Sequence, residues 1–322
     1  MKKIFTFSLI LMILIMTGCK KKKEDTKKIK VAEVTHSIFY TPLYVADALG
    51  YFEDEGLDVD IILTSGANNV AAALMSGDVE IGLCGSEQTI YIYNEGAEDY
   101  LINFAGLTKR DGSFLISRKK NDNFNVKDLE GAWIIGGRNG GMPAMTLAYT
   151  MYENNVKNTN IDTSIDFAAM SGAFIAGSGD YVTLFEPNAL NLEQEGYGYV
   201  VASVGKLGGE VPYTVFNAKK SYIENNKDVI KKFTKAIQRG LDYVYTNDSQ
   251  LVAEKISTYF PDNTINEIKI VIDRYMENDS WYKTTYITKE GFDHIKEIID
   301  FNGLLKKDVP YEILIDNTYN YE

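Results

Sequence analysis

The sequence predicts an α/β fold: two lobes, each a mainly parallel sheet built from βαβ units and flanked by helices, joined by a hinge that the chain crosses twice. Three observations carry this expectation. Short β-branched runs alternate with amphipathic helical patterns over residues 29–84 and again over 132–186, the pattern of parallel strands joined by helical crossovers. Punctuation repeats between the two stretches: His36 to Pro42 and Gly137 to Pro143 are both six residues, Ser65-Gly66-Ala67 is matched by Ser171-Gly172-Ala173, and Asp78 with Cys84 is matched by Asp180 with Glu186. The 322 residues exceed what one core commonly holds, and six prolines with no low-complexity tract leave little linker between two domains.

Taken in order, Ile29–Val34 reads as a strand, and Pro42 opens a helix at the position where proline is best tolerated, continuing through Leu43, Ala46, Leu49 and Phe52 to a stop at Gly56. Val59–Leu63 follows as a strand, Ala67–Ser76 as a helix ended by Gly77, and Val79–Cys84 as a strand. In the second stretch Trp133–Ile135 is a strand, Pro143 opens a helix to Tyr152, and Ile165–Ala169 and Asp180–Phe185 are strands. From Ser221 the texture is helical. Ser221 and Glu224 have capping-box spacing, and Ile230, Phe233, Ile237, Leu241 and Val244 share one face. Further helices are expected over 249–259, 264–277 and 288–301, with Gly303 past the last. A third, all-helical domain is one arrangement, but these amphipathic faces need a partner, expected to be the first sheet. Residues 31–116 and 214–322 would then form one lobe and 117–213 the other, with crossings near Ile116–Lys119 and Pro212–Phe216.

The amino terminus has the layout of an export signal: Met1-Lys2-Lys3, an apolar run from Ile4 to Met16, then Thr17-Gly18-Cys19. A run of thirteen residues is too short for a hydrocarbon core of about 30 Å. Met16-Thr17-Gly18-Cys19 resembles a bacterial lipoprotein signal, with Met16 where Leu is commoner. That resemblance implies cleavage before Cys19 and diacylation of its sulfur. Residues 19–30, with seven lysines, then read as a basic tether against the outer face of the bacterial cytoplasmic membrane.

Charge and composition exclude several classes. The net charge of −12 combines +2 on residues 1–18, +5 on 19–30 and −19 on the remainder, which argues against nucleic-acid binding. With Cys19 spent on lipid, Cys84 has no partner for an internal disulfide, and two histidines, His36 and His294, with one thiol exclude a His/Cys zinc cluster. No calcium loop, nucleophile elbow or P-loop is present, and no cofactor is implied.

In open parallel sheets ligands bind outside the carboxyl ends of strands, where loops lead into helix N-termini. The loops Thr35–Thr41, Ser65–Asn69, Cys84–Glu87, Gly136–Met142 and Ser171–Ala173 would converge there. Ligand contacts are therefore expected from His36, Ser37, Phe39, Tyr40, Ser65, Gly66, Cys84, Gly85, Ser86, Arg138, Asn139, Gly140, Ser171, Gly172, Glu186 and Tyr213. Phe39, Tyr40 and Tyr213 offer walls for an aromatic heterocycle and Glu186 an acceptor for its exocyclic amine; Arg138 and helix N-termini offer donors for a sulfonate or nitrate. A carboxylate facing the cleft would repel a small anion, which favours the amine-bearing ring. The structural alternatives are core packing for Phe39, Tyr40 and Cys84, a solvated charge for Arg138, and a cap before Pro187 for Glu186. His294 is expected in solvent.

The segments Phe39-Tyr40-Thr41-Pro42-Leu43-Tyr44-Val45-Ala46, Gly50-Tyr51-Phe52-Glu53-Asp54-Glu55-Gly56-Leu57-Asp58-Val59 and Ala73-Leu74-Met75-Ser76-Gly77-Asp78-Val79-Glu80-Ile81-Gly82 resemble the solute-binding proteins for nitrate, sulfonates, taurine and thiamine-pyrimidine precursors. Asp128-Leu129-Glu130-Gly131, Phe185-Glu186-Pro187 and Pro310-Tyr311 fit the same family. The resemblance implies a type II periplasmic-binding fold that closes on a small solute and delivers it to an ABC permease with its ATPase subunit, the receptor being a lipid-anchored monomer. The family includes fungal enzymes that make the thiamine pyrimidine. Those carry a cysteine-rich iron motif and a lysine for pyridoxal phosphate, and a body with Cys84 alone has no such cluster, so catalysis is not expected. A sensor lipoprotein would use the same cleft.

Overall fold

The computed structural model describes residues 26–321; the expected signal, Cys19 and the first part of the basic tether lie outside them. Ten strands occur among the described residues: β1 (Lys27–Glu33), β2 (Leu57–Leu63), β3 (Ile81–Cys84), β4 (Leu101–Thr108), β5 (Phe114–Ser117), β6 (Trp133–Ile135), β7 (Asn160–Asp162), β8 (Tyr181–Leu184), β9 (Tyr199–Ser203) and β10 (Thr214–Lys219). They form two five-stranded sheets, in the orders β2-β1-β3-β10-β4 and β7-β6-β8-β5-β9. Each sheet is mixed. β1 runs parallel to β2 and β3, while β10 runs antiparallel to β3 and β4; β6 runs parallel to β7 and β8, while β5 runs antiparallel to β8 and β9.

Several expectations are corrected. Lys27–Lys30 is paired strand rather than tether, in register with Leu57–Asp60, because burying Ile29 and Val31 requires the chain to be extended from Lys27. Phe114–Ser117 pairs with Tyr181–Leu184 in the second sheet, so the forward crossing is at 109–113, upstream of the expected Ile116–Lys119. The edge strand after the Met142–Glu153 helix is β7, not Ile165–Ala169. The Asp162 carboxylate accepts from the amide and hydroxyl of Ser164 and turns the chain out of the strand, and Phe167–Ala169 is a 3-10 turn with Phe167 45% exposed. Ser221 caps nothing; its amide and hydroxyl both donate to Asp99, and Lys219 precedes the Lys220–Asn225 helix. The box forms at Thr264 and Glu267, whose side chains bond each other's amides at 3.2 and 2.7 Å.

Helices after β10 cover the first sheet. Phe233, on the Lys227–Thr246 helix, packs against Phe52, Phe216 and Phe104 at centroid distances of 5.1, 5.0 and 6.0 Å. That helix lies close on the Thr41–Ala48 helix: a Cβ at Gly240 would stand 2.2 Å from the Pro42 carbonyl oxygen, so the contact requires glycine.

Strand polarity fixes where a ligand could sit. Val215 pairs with Cys84 and Thr214 with Thr108, so the start of β10 lies beside the carboxyl ends of β3 and β4. Phe114 pairs with both Leu184 and Ser203, so the start of β5 lies beside the carboxyl ends of β8 and β9. The chain thus passes between the sheets, at 109–113 and 204–213, from one set of carboxyl ends to the other.

Candidate functional site

The loop after β1 begins the site. Ser37 accepts from the Phe39 amide at 3.2 Å and donates to the Glu186 carbonyl at 3.3 Å, joining the carboxyl ends of β1 and β8. Trp281 Nε1 donates to the Phe39 carbonyl at 2.7 Å and fixes the turn Ile38–Tyr40. The Phe39 ring sits at the centre of an aromatic cluster, with centroids 4.8 Å from Tyr275, 5.7 Å from Tyr40, 6.0 Å from Tyr213 and 6.1 Å from Phe185. It occupies space left by Gly112, where a Cβ would come within 2.6 Å of its Cε1. Phe185 follows β8 and Tyr213 precedes β10, so both sheets contribute walls.

Buried acids border these rings. Glu87, the first residue of the Glu87–Asn94 helix after β3, is 3% exposed. Gln88 Nε2 donates to its Oε1 at 3.1 Å, and its Oε2 has no hydrogen-bond partner among the described residues. A Cβ at Gly85 would stand 1.9 Å from that Oε2, so the carboxyl group folds back into space that the glycine leaves open. Asp111, 2% exposed in the forward crossing, accepts through Oδ1 from the amide and hydroxyl of Ser113 at 2.7 and 2.6 Å. Its Oδ2 has no aligned partner, although the Tyr213 hydroxyl lies close enough to favour the charged form. Burial raises both acids above the ordinary carboxylate range, Asp111 to about 6. Burial and neighbouring carboxylates push Tyr213 and Tyr275 up, so both hydroxyls stay protonated.

Among the expected contacts, Ser37, Phe39, Tyr40, Gly85 and Tyr213 meet around this cluster. Ser86 is beneath it, its hydroxyl donating to the Pro212 carbonyl at 2.7 Å and tying the helix start to the return crossing. Arg138 is exposed at the rim, where Nη1 donates to Asn68 Oδ1 at 2.6 Å between the loop after β6 and the Ala67–Ser76 helix.

Other expected contacts have their side chains engaged elsewhere in the chain or turned to solvent. Glu186 has a partner on each carboxylate oxygen within the chain. Oε1 takes Arg274 Nη1 at 2.7 Å and Oε2 takes the Leu190 amide at 2.8 Å, which ties the carboxylate to a helix of the tail and to the helix after β8. The nitrogens of His36 are committed likewise, Nδ1 to Glu33 Oε1 at 2.9 Å and Nε2 to the Tyr259 carbonyl at 2.8 Å. Cys84 is fully buried in a satellite core with Ala32, Val70 and Leu74, accepting from Asn217 Nδ2 at 3.3 Å, and burial pushes its thiol up to about 12. Ser65 is exposed and lends its carbonyl to Asn69, while Gly66, at φ +100°, starts the following helix. Asn139 is exposed, and Gly140 faces Leu304. Ser171 and Gly172 lie inside the Met170–Ile175 helix, with Gly172 open to solvent, unlike Ser65-Gly66 ahead of theirs. His294 is not free in solvent: Nε2 is 2.8 Å from the Gly208 carbonyl.

Glu87, Asp111, Phe185 and Tyr275 were not singled out by the sequence. Glu87 closed a loop that was, and Gly85 two residues earlier was the available signal. Tyr275 sits on the Ile265–Glu277 helix, where its spacing reads as core.

The arrangement brings aromatic rings and a buried acid together between the carboxyl ends of the two sheets. The Phe39, Tyr40 and Tyr275 rings are buried against one another, and Glu87 Oε2 is a buried acceptor without a partner among the described residues.

Comparisons agree with this fold. The family model described as "NMT1/THI5 like" matches residues 38–250. Over 310 residues the chain is 40% identical to "Putative binding protein YtlA" of Bacillus subtilis (strain 168), covering 95% of this chain and 92% of that protein. It is 24% identical over 266 residues to the formylaminopyrimidine-binding protein of Halalkalibacterium halodurans, covering 78% of this chain and 77% of the relative. The solved periplasmic aliphatic sulphonate binding protein SsuA of Escherichia coli superposes with a TM-score of 0.71 at 16% identity, over 90% of this chain and 97% of that one.

Proposed function

The chain belongs to the NMT1/THI5-like family, and from that premise we propose that it is an extracytoplasmic receptor that captures a small amine-bearing aromatic heterocycle between the two sheets and hands it intact to an ABC permease. The observation that carries this reading is the ring cluster of Phe39, Tyr40, Phe185, Tyr213 and Tyr275, drawn from both sheets and their connections and bordered by a buried acid with an unpartnered oxygen. Stacking surfaces suit a planar ring. A sulfonate or nitrate would need buried donors, and the one arginine named for that role stands exposed at the rim, engaged with Asn68. The relative named for formylaminopyrimidine supports the same class of ligand.

Titration calorimetry with aminopyrimidines, taurine, an alkanesulfonate and nitrate tests the reading. The expected outcome is one saturable site for an aminopyrimidine, with the ligand recovered chemically unchanged. Conversion of the ligand would make the protein an enzyme, and saturable binding of only the anions would replace the ligand class. For the amino terminus the reading is a lipid anchor on Cys19. Cys19→Ala is expected to leave unprocessed precursor, and normal cleavage with unchanged membrane attachment would contradict it.

A further inference from the structure

We infer that Glu87 sets the specificity of the cleft by receiving an N–H donor of the solute on Oε2, so that the site selects amine-bearing or protonated nitrogen heterocycles against anions. This rests on the receptor reading and names the polar edge of its ligand.

Three observations support it. First, Glu186 has both carboxylate oxygens engaged by Arg274 and Leu190, whereas Glu87 has one oxygen bonded to Gln88 and the other to nothing among the described residues. Buried polar atoms are almost always paired, so an orphaned carboxylate oxygen at a strand end is where a donor is missing. Second, the fold leaves room for the group: Oε2 lies over Gly85, in space that a Cβ there would fill. Third, the charge environment is one-sided. A helix N-terminus at the end of a strand ordinarily favours an anionic ligand, but here Glu87 itself fills that position as the first residue of the Glu87–Asn94 helix. Its neighbours Tyr40, Tyr91 and Tyr213 are neutral hydroxyls, and the cation that acts on it, Arg138, is at the exposed rim. An anion entering would meet no buried cation beside Glu87 among the described residues, while an N–H donor would pair Oε2 and favour the carboxylate. Burial raises the Glu87 carboxyl group and a donor bonded to Oε2 lowers it again, so binding shifts Glu87 towards the carboxylate and is read as proton release.

The test uses formylaminopyrimidine as probe with the intact chain and with Glu87→Gln, titrated in two buffers of different ionisation enthalpy. The carboxamide keeps shape and removes the charge, so the variant is expected to melt no lower than the parent. Parent binding with proton release, weakened roughly ten- to hundredfold in Glu87→Gln with the release abolished, is the expected result. Equal affinity and equal proton release in parent and variant would overturn the role of Glu87 while leaving the receptor reading intact. Saturable binding of an alkanesulfonate by the parent, with no binding of the pyrimidine, would overturn both. Should Glu87→Gln fail to fold, Glu87→Asp, which draws the carboxylate back by one methylene, is expected to weaken binding at unchanged charge, and unchanged affinity there would overturn the assignment.

Discussion

Arg274, on a helix packed against the first sheet's binding loop, bonds Glu186 Oε1 at 2.7 Å and reaches Glu193 with its other terminal nitrogen. Both carboxylates follow β8, so one guanidinium clamps the helical tail to the second sheet. Arg274→Gln would leave Glu186, 2% exposed, as a buried unpaired carboxylate. Breaking such a pair costs about 2–4 kcal/mol, the low side of the buried range because Arg274 is 21% exposed. Chemical denaturation checks this, and adding Glu186→Gln is expected to restore part of the loss. No change on Arg274→Gln would show that the clamp contributes nothing.

His36 gives a pH dependence. Its two ring nitrogens face two acceptors, Glu33 Oε1 and the Tyr259 carbonyl, and only the imidazolium donates to both. Tyr44 also points at Glu33, and Phe260 stacks on the imidazole at 4.8 Å. The Glu33 hydrogen bond raises the His36 pKa above 6.5. A raised folded-state value means that the stabilisation is fully present below about 6.5 and is lost as pH rises through the folded value. Melting temperatures of the parent and His36→Gln should therefore converge as pH rises from about 5 to about 8; a constant gap would remove His36 as the cause.

Asp111 acts in a neighbouring window for a different reason. Burial lifts its carboxyl group from 3.8 to about 6, so ionisation in the folded state costs stability. The neutral form's advantage is fully present below 3.8 and lost as pH rises through about 6. Asp111→Asn keeps an oxygen for Ser113 and cannot ionise. It is expected to melt higher than the parent above about pH 6, and equal melting curves there would contradict the burial argument.

Much of this architecture was legible because local chemistry specified it. Gly77, at φ +85°, ends the helix that the sequence ends there, and Phe39, Tyr40 and Tyr213 stand beside strand ends where flat side chains suggest walls. What stayed hidden depended on partners distant along the chain. The role of Glu186 is decided by Arg274, 88 residues away, which turns an apparent ligand acceptor into a clamp. Strand β7, Asn-Ile-Asp, is too short and polar to show a strand pattern and exists because β6 pairs with it. Glu87 reads as an ordinary acid in a first helical turn until the missing partner of Oε2 becomes visible.

The central claim, a cleft built for a planar donor-bearing solute, is tested most directly by thermal unfolding with candidate ligands. At a hundredfold excess over its dissociation constant a ligand adds about 2.7 kcal/mol, which for a body of this size raises the melting temperature by about 4 °C. An aminopyrimidine is predicted to produce that shift while taurine, alkanesulfonates and nitrate do not. A shift of this size from a sulfonate or nitrate, with none from any aminopyrimidine, would contradict the account.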